Sequence, residues 1–246
     1  MPRFPRIEDD DYDWGPYISV EERRRKAERE AAKLAASAPV RIEGSQIAKT
    51  FWGKSWCTNL ERYSDYANRL PRGRNYVRSG CVVDLKIDKG AVTALVSGTV
   101  LYRVQLKVAP IAQRRWKAVC ADVSGAIDSL LELLEGRFSK ATMERLCREG
   151  TGLFPLPDEI RFTCTCPDSA RMCKHIAAVL YGIGARLDEK PELLFLLRNV
   201  DQNELITRAG VHAQQSKTKR ILESADLSEL FGIDIAETKR KAKRRR

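Results

Sequence analysis

The chain has 246 residues, 44 Lys+Arg against 33 Asp+Glu, a formal net charge of +11 and a pI near 9.4. At 43% hydrophobic residues it can bury a core, which excludes wholesale disorder. No apolar run approaches the ~20 residues that span a bilayer. The opening MPRFPRIEDDDYDWG holds no apolar signal-peptide core. The sequence therefore reads as a soluble protein of the cytoplasm, with association to the nucleoid open to it.

The excess charge is uneven. Residues 1–40 carry 8 basic and 9 acidic side chains, residues 41–238 carry 29 and 24, and the closing KRKAKRRR carries seven basic and no acidic ones. That tail (Lys239, Arg240, Lys241, Lys243, Arg244, Arg245 and Arg246) can neutralise nucleic-acid phosphates by releasing counterions. It can equally serve as a solubilising or localising end.

In chain order, SVEERRRKAEREAAKLAA (19–36) predicts a helix capped by Ser19, with Glu21–Arg25 and Glu22–Lys26 at i,i+4. Its nearly all-polar surface predicts a solvated helix in a mobile arm, or one that orders on a partner. In TFWGKSWCTNLERYSDYANRL, Phe51, Trp52 and Trp56 precede a predicted helix closed by Pro71 and Gly73; the aromatics read as core, with base stacking the alternative. Cys81–Asp88, Ala91–Ser97 and Tyr102–Val108 read as an antiparallel meander, the first two strands joined at Asp88-Lys89-Gly90. Val83, Leu85 and Ile87, and then Tyr102, Val104, Leu106 and Val108, mark the buried face. Arg103, Gln105 and Lys107 mark the wet one; Arg103 and Lys107 read as its solvated side, with phosphate contact the alternative. Val123, Ile127, Leu130 and Leu134 predict a helix ending at Gly136, and SKATMERLCREG a shorter one capped by Ser139.

Cys57, Cys81, Cys120 and Cys147 stand singly among apolar neighbours and read as small buried hydrophobes. The other three cysteines cluster in RFTCTCPDSARMCKHIAAVLYGIGARL. Cys164 and Cys166, one residue apart on an extended strand, project from the same face about 6.6 Å apart. Pro167-Asp168-Ser169 supplies the turn that brings Cys173 and His175 back to face them. Ile176, Val179, Leu180, Ile183 and Leu187 then recur at helical spacing. Three thiolates and an imidazole suit one tetrahedral zinc ion, with every position filled by protein; such a site is structural. Zinc with three thiolates carries −1, which Arg171 and Lys174 in the loop can offset; phosphate contact is their alternative role. The polar residues between the cysteines argue against a chance core cluster. A Cys164/Cys166 redox pair would leave Cys173 and His175 without a role.

The spacing CxC–x6–CxH, followed by an apolar helix, resembles the SWIM zinc finger. Together with the segment from TFWGKSW into the meander, the chain from about 45 to 200 is similar to bacterial SWIM zinc finger family proteins. The resemblance implies a short β-hairpin and helix around zinc, a role in binding DNA or protein, and company such as Swi/Snf-type helicase-like ATPases.

The expected fold is α+β: an antiparallel β-meander with covering helices, then a small zinc-stabilised ββα finger and C-terminal helices. The segments are a mobile arm with a charged helix (1–40), an α+β domain (41–155), the finger and following helix (156–200), a C-terminal helical segment (201–238) and the basic tail (239–246). The leading function is non-enzymatic, salt-sensitive association with nucleic acid, DNA before RNA, beside a helicase-like ATPase. The alternative is a protein–protein adaptor that docks through Ile176–Leu187 and Leu193–Val200. An enzyme is not expected, and no small-molecule substrate or membrane is. There is no Walker A loop, HExxH or paired-acid signature. A deaminase-like zinc would need an open coordination position and a general-base Glu beside its His, which CKHIAA lacks.

Overall fold

The computed structural model of the chain describes residues 19–34, 38–62, 69–123 and 139–205. Helix α1 spans Val20–Lys33, and the Ser19 hydroxyl caps it by accepting from the Glu22 N–H at 3.1 Å. Most of its side chains are exposed, as expected of a solvated helix, but it is docked on the fold. Ala27 is buried, and the Lys26 ammonium donates to the Gly98 and Thr99 carbonyls at 2.6 and 2.7 Å. A long cationic stem can cross apolar surface and deliver its head to carbonyls, a docking mode that apolar periodicity does not register.

Helix α2 covers Phe51–Glu61, so the aromatics expected ahead of a helix lie inside it. Trp52, Trp56 and Leu60, four apart, form its buried stripe. Its N-terminus is capped from across the fold: the Asp188 carboxylate accepts from the Lys49 and Thr50 N–H groups and from the Thr50 hydroxyl. Helix α3 is Leu70–Arg78, which corrects the reading of Pro71 and Gly73 as terminators. Pro71 sits in the first turn, where its missing N–H costs nothing. Gly73 is where another helix passes: a Cβ there would stand 2.5 Å from the Ala177 Cβ.

Alternation then builds β1 (Val82–Asp88), β2 (Ala91–Ser97) and β3 (Leu101–Val108), paired antiparallel in sequence order. Tyr102, Val104, Leu106 and Val108 are buried, and Arg103, Gln105 and Lys107 are exposed, as the alternation requires. Helix α4 (Gln113–Asp122) buries Trp116, Val119 and Cys120; the expected stripe from Val123 to Leu134 lies, beyond Val123, outside the described residues. Helix α5 (Lys140–Leu146) starts at Ser139, whose hydroxyl accepts from the Thr142 N–H.

A 3-10 turn at Pro157–Glu159 leads into β4 (Ile160–Cys164), which pairs antiparallel with β3 and completes a four-stranded sheet in the order β1-β2-β3-β4. Helices α6 (Lys174–Glu189) and α7 (Leu193–Arg198) follow. Helix α6 crosses the inner sheet face and packs on α2 and α3; one buried core holds residues of α2, α3, the sheet, α6 and α7. The fold is α+β, as expected. The finger's strand belongs to the main sheet, and its pairing partner is β3 rather than a hairpin of its own. Where β4 begins, Glu159 takes a two-pronged ion pair from Arg115 at 2.7 and 2.9 Å and a third contact from fully buried Arg198 at 3.0 Å. Burial would raise the Glu159 carboxyl, but the hydrogen bonds from Arg115 and the Leu156 N–H, with the Arg198 charge, outweigh it and hold the group below its ordinary value. Among the described residues, no helix is long and apolar enough to cross a membrane.

Candidate metal centre

Cys164 ends β4 opposite Val104, on the inner face of the sheet. The ladder runs one residue further: the Thr165 N–H donates to the Arg103 carbonyl at 3.1 Å, and the Arg103 N–H to the Thr165 hydroxyl at 3.0 Å. That clamp fixes the residue between Cys164 and Cys166, so both cysteines share one side. The turn expected at Pro167–Ser169 is present. Asp168 accepts from the Ala170 N–H at 3.0 Å and pairs with Arg69, beside the start of α3, at 3.3 Å. Cys173 is the N-cap residue of α6, and His175 lies in its first turn.

The ligand atoms of Cys164, Cys166, Cys173 and His175 all lie within 4.8 Å of one another. The Cys164 and Cys173 sulfurs are each 3.9 Å from Nδ1 of His175, so that nitrogen faces the thiols. A tetrahedral zinc with Zn–S near 2.3 Å and Zn–N near 2.0 Å needs donors separated by about 3.5–3.8 Å. The set fits with little adjustment. Tyr102 stacks on the imidazole at 4.3 Å between centroids, and Tyr76 meets it edge-on at 5.4 Å. The ring therefore has little freedom to turn Nδ1 away.

Burial also sets the protonation. It pushes the Cys164 and Cys173 thiols well above the ordinary value, so a metal cation would have to displace their protons. Burial first, and the Lys174 charge second, push His175 down to about 4, which leaves a neutral imidazole with a free lone pair at neutral pH. Cys57, Cys81 and Cys147, outside the set, are poor ligands and poor nucleophiles. Burial pushes Cys57 up to about 12 and both Cys81 and Cys147 to about 11.

The loop cations make contacts of their own. Arg171 is exposed and donates to the Pro157 carbonyl at 3.4 Å; Lys174 lies 5.3 Å from the centre of the Tyr76 ring, which Arg23 also flanks at 5.2 Å. Residues 239–246 lie outside the described residues. Tyr76, Tyr102 and Arg69 support the site without any signal in the sequence, because each reaches it from an element distant in the chain. Phe51 is half-buried, and Trp52 and Trp56 are fully buried, so the two tryptophans are core rather than stacking surface. Most of the helix faces named for an adaptor are turned inward, although Leu196 is exposed. Ile176–Ile183, Leu187, Leu194, Phe195 and Leu197 are buried in the chain's own core, which is what their apolar periodicity records.

A strand and a helix that converge on three thiols and one imidazole form a zinc-finger site, a structural metal centre among the described residues. Residues 161–182 match the model of the SWIM zinc finger family, and the chain carries a SWIM zinc finger. It is also similar to a protein of Mycobacterium tuberculosis (strain ATCC 25618 / H37Rv), "Uncharacterized protein Rv2102", at 32% identity over 163 residues, a stretch that covers 65% of this chain and 58% of that relative. The chain thus spans less than two thirds of the relative's length. No solved structure matches it.

Proposed function

We propose that this chain is a non-enzymatic, cytoplasmic nucleic-acid-associated protein in which zinc is structural and phosphate contacts are made elsewhere on the surface. The observation that carries the reading is a separation of roles. The donors converge on one point with the imidazole held between two tyrosines, while exposed cations such as Arg103, Lys107, Arg161 and Arg171, and the seven basic residues of the closing KRKAKRRR, lie outside the ligand set. Zinc bound by Cys164, Cys166, Cys173 and His175 would tie the start of α6 to the end of β4, supplying folding energy and no reactive water. DNA is the preferred partner, and the resemblance to SWIM proteins supports action beside a Swi/Snf-type helicase-like ATPase.

Fluorescence anisotropy with short DNA and RNA duplexes tests this. Affinity should fall linearly on a log–log plot against salt and depend weakly on sequence. Binding to neither duplex, or binding indifferent to salt, removes the reading.

A further inference from the structure

The outer face of the sheet is left uncovered in its described part, and its charges are sorted by strand. Register places three rows across it: Asp84–Leu95–Arg103, extended by Thr165; Lys86–Thr93–Gln105–Thr163; and Asp88–Ala91–Lys107–Arg161. Both acids lie on β1, where Asp84 pairs with Lys86 at 3.8 Å. The β2 positions are neutral. The β3–β4 half holds Arg103, Lys107 and Arg161, all exposed, with Gln105, Thr163 and Thr165 between them and no acid. Among the described residues, none of these three cations makes an ion pair.

Two features set this half apart from an ordinary wet face. Lys107 and Arg161 stand directly opposite each other in register, and like charges so placed oppose strand pairing. Moreover, the strand that carries Arg161 is the one that ends in Cys164, so the sheet presents these cations from a rigid frame. Arg103 and Lys107 stand about 13 Å apart along β3, with Gln105 between them. The charged rows of the β3–β4 half carry no aromatic or large apolar side chain, and Leu101, beyond Arg103 at the start of β3, is half-buried, so no apolar centre of the kind that anchors a protein partner lies between the cations. It offers separated cations and neutral hydrogen-bonding groups, the requirements of a phosphate backbone.

We infer that the outer β3–β4 face, through Arg103, Lys107 and Arg161, is the surface that holds the phosphate backbone of nucleic acid. The inference rests on the nucleic-acid reading above and moves the contact from the finger loop to the opposite side of the finger's own strand.

The test uses the full chain with zinc bound and the variant Arg103→Gln/Lys107→Gln/Arg161→Gln, titrated against the same labelled duplexes over a range of salt. The triple variant should keep one equivalent of zinc and its melting temperature, lose at least about ten-fold in affinity at low salt, and flatten the salt slope by about two to three. Lys86→Gln, on the β1 side, should change neither. If the wild type binds and the folded triple variant binds with the same affinity and slope, this face is wrong while the nucleic-acid reading stands. The same holds if the variant only self-associates, which would make the cations guards of an exposed edge. If the wild type binds neither duplex, both ideas fall. Should the triple variant not fold, Arg103→Gln and Lys107→Gln singly should each flatten the slope by about one, and an unchanged slope in both overturns the proposal.

Discussion

Helices α1 and α6 are both legible as helices from their residues, yet they hold opposite positions in the fold. Helix α6 is buried nearly all round, from His175 to Gly184, and presses against α2, α3 and the sheet. Helix α1 buries one alanine and is fastened by cationic side chains: Lys26 on the Gly98 and Thr99 carbonyls, Arg24 on the Arg78 carbonyl at 3.3 Å, and Arg23 over the Tyr76 ring. The first is held by shape and by the metal centre at its N-terminus, the second by polar contacts at a rim. Helix formation was thus decided locally in both, while position was decided by what each could bury. The two should fail differently: disturbing α6 should bring down the whole, and disturbing α1 should free only α1.

The sharpest test removes a zinc ligand. His175→Ala and Cys166→Ser should each lose the equivalent of zinc and more than about 4 kcal/mol of stability, the range in which metal loss belongs. Chelation should lower the melting temperature of the wild type and leave that of His175→Ala unchanged. Either variant retaining a full equivalent of zinc would overturn the ligand set.

Packing comes next. Gly73 lets α3 approach α6 so closely that a Cβ would also come within 2.8 Å of the Ala177 carbonyl carbon, which is backbone and cannot step aside. Replacing a helical glycine by alanine ordinarily gains about 0.5–1 kcal/mol. Here overpacking should win, and Gly73→Ala should cost about 1–3 kcal/mol in urea unfolding while zinc content stays at one equivalent. A stabilised variant would show that the two helices are not in tight contact.

What the sequence disclosed follows the range over which each signal acts. The strands of the meander could be read because alternation is local, and the ligands because spacing and turn chemistry lie within twelve residues. The pairing of β4 with β3 could not be read. It joins Val108 to Ile160 across the helical stretch between them, and nothing in either strand names the other. Gly73 misled because a glycine required for close approach carries the same letter as one that ends a helix. Asp188 capping α2, Tyr102 stacking on His175, and Lys26 reaching the β2–β3 turn are likewise meetings of distant elements.

That last contact supplies the smallest and most discriminating effect. Lys26 gives its charge to two carbonyls, and a charged hydrogen bond at a half-exposed site contributes modestly to stability. Lys26→Ala should lower the local opening free energy of α1 by about 1–2 kcal/mol, read as faster amide exchange confined to residues 20–33. Melting temperature and zinc content should hold, because α6 and its metal centre do not depend on that rim. Yet Gly98, whose carbonyl Lys26 holds, lies against Tyr102 and His175: a Cβ added there would come within 2.7 Å of the Tyr102 ring and 3.2 Å of Nε2 of His175. Strain could therefore travel inward along this turn. If Lys26→Ala accelerates exchange in α6 or weakens zinc retention, α1 is a support of the metal centre, and the division between a self-sufficient inner helix and a dependent outer one fails at this turn.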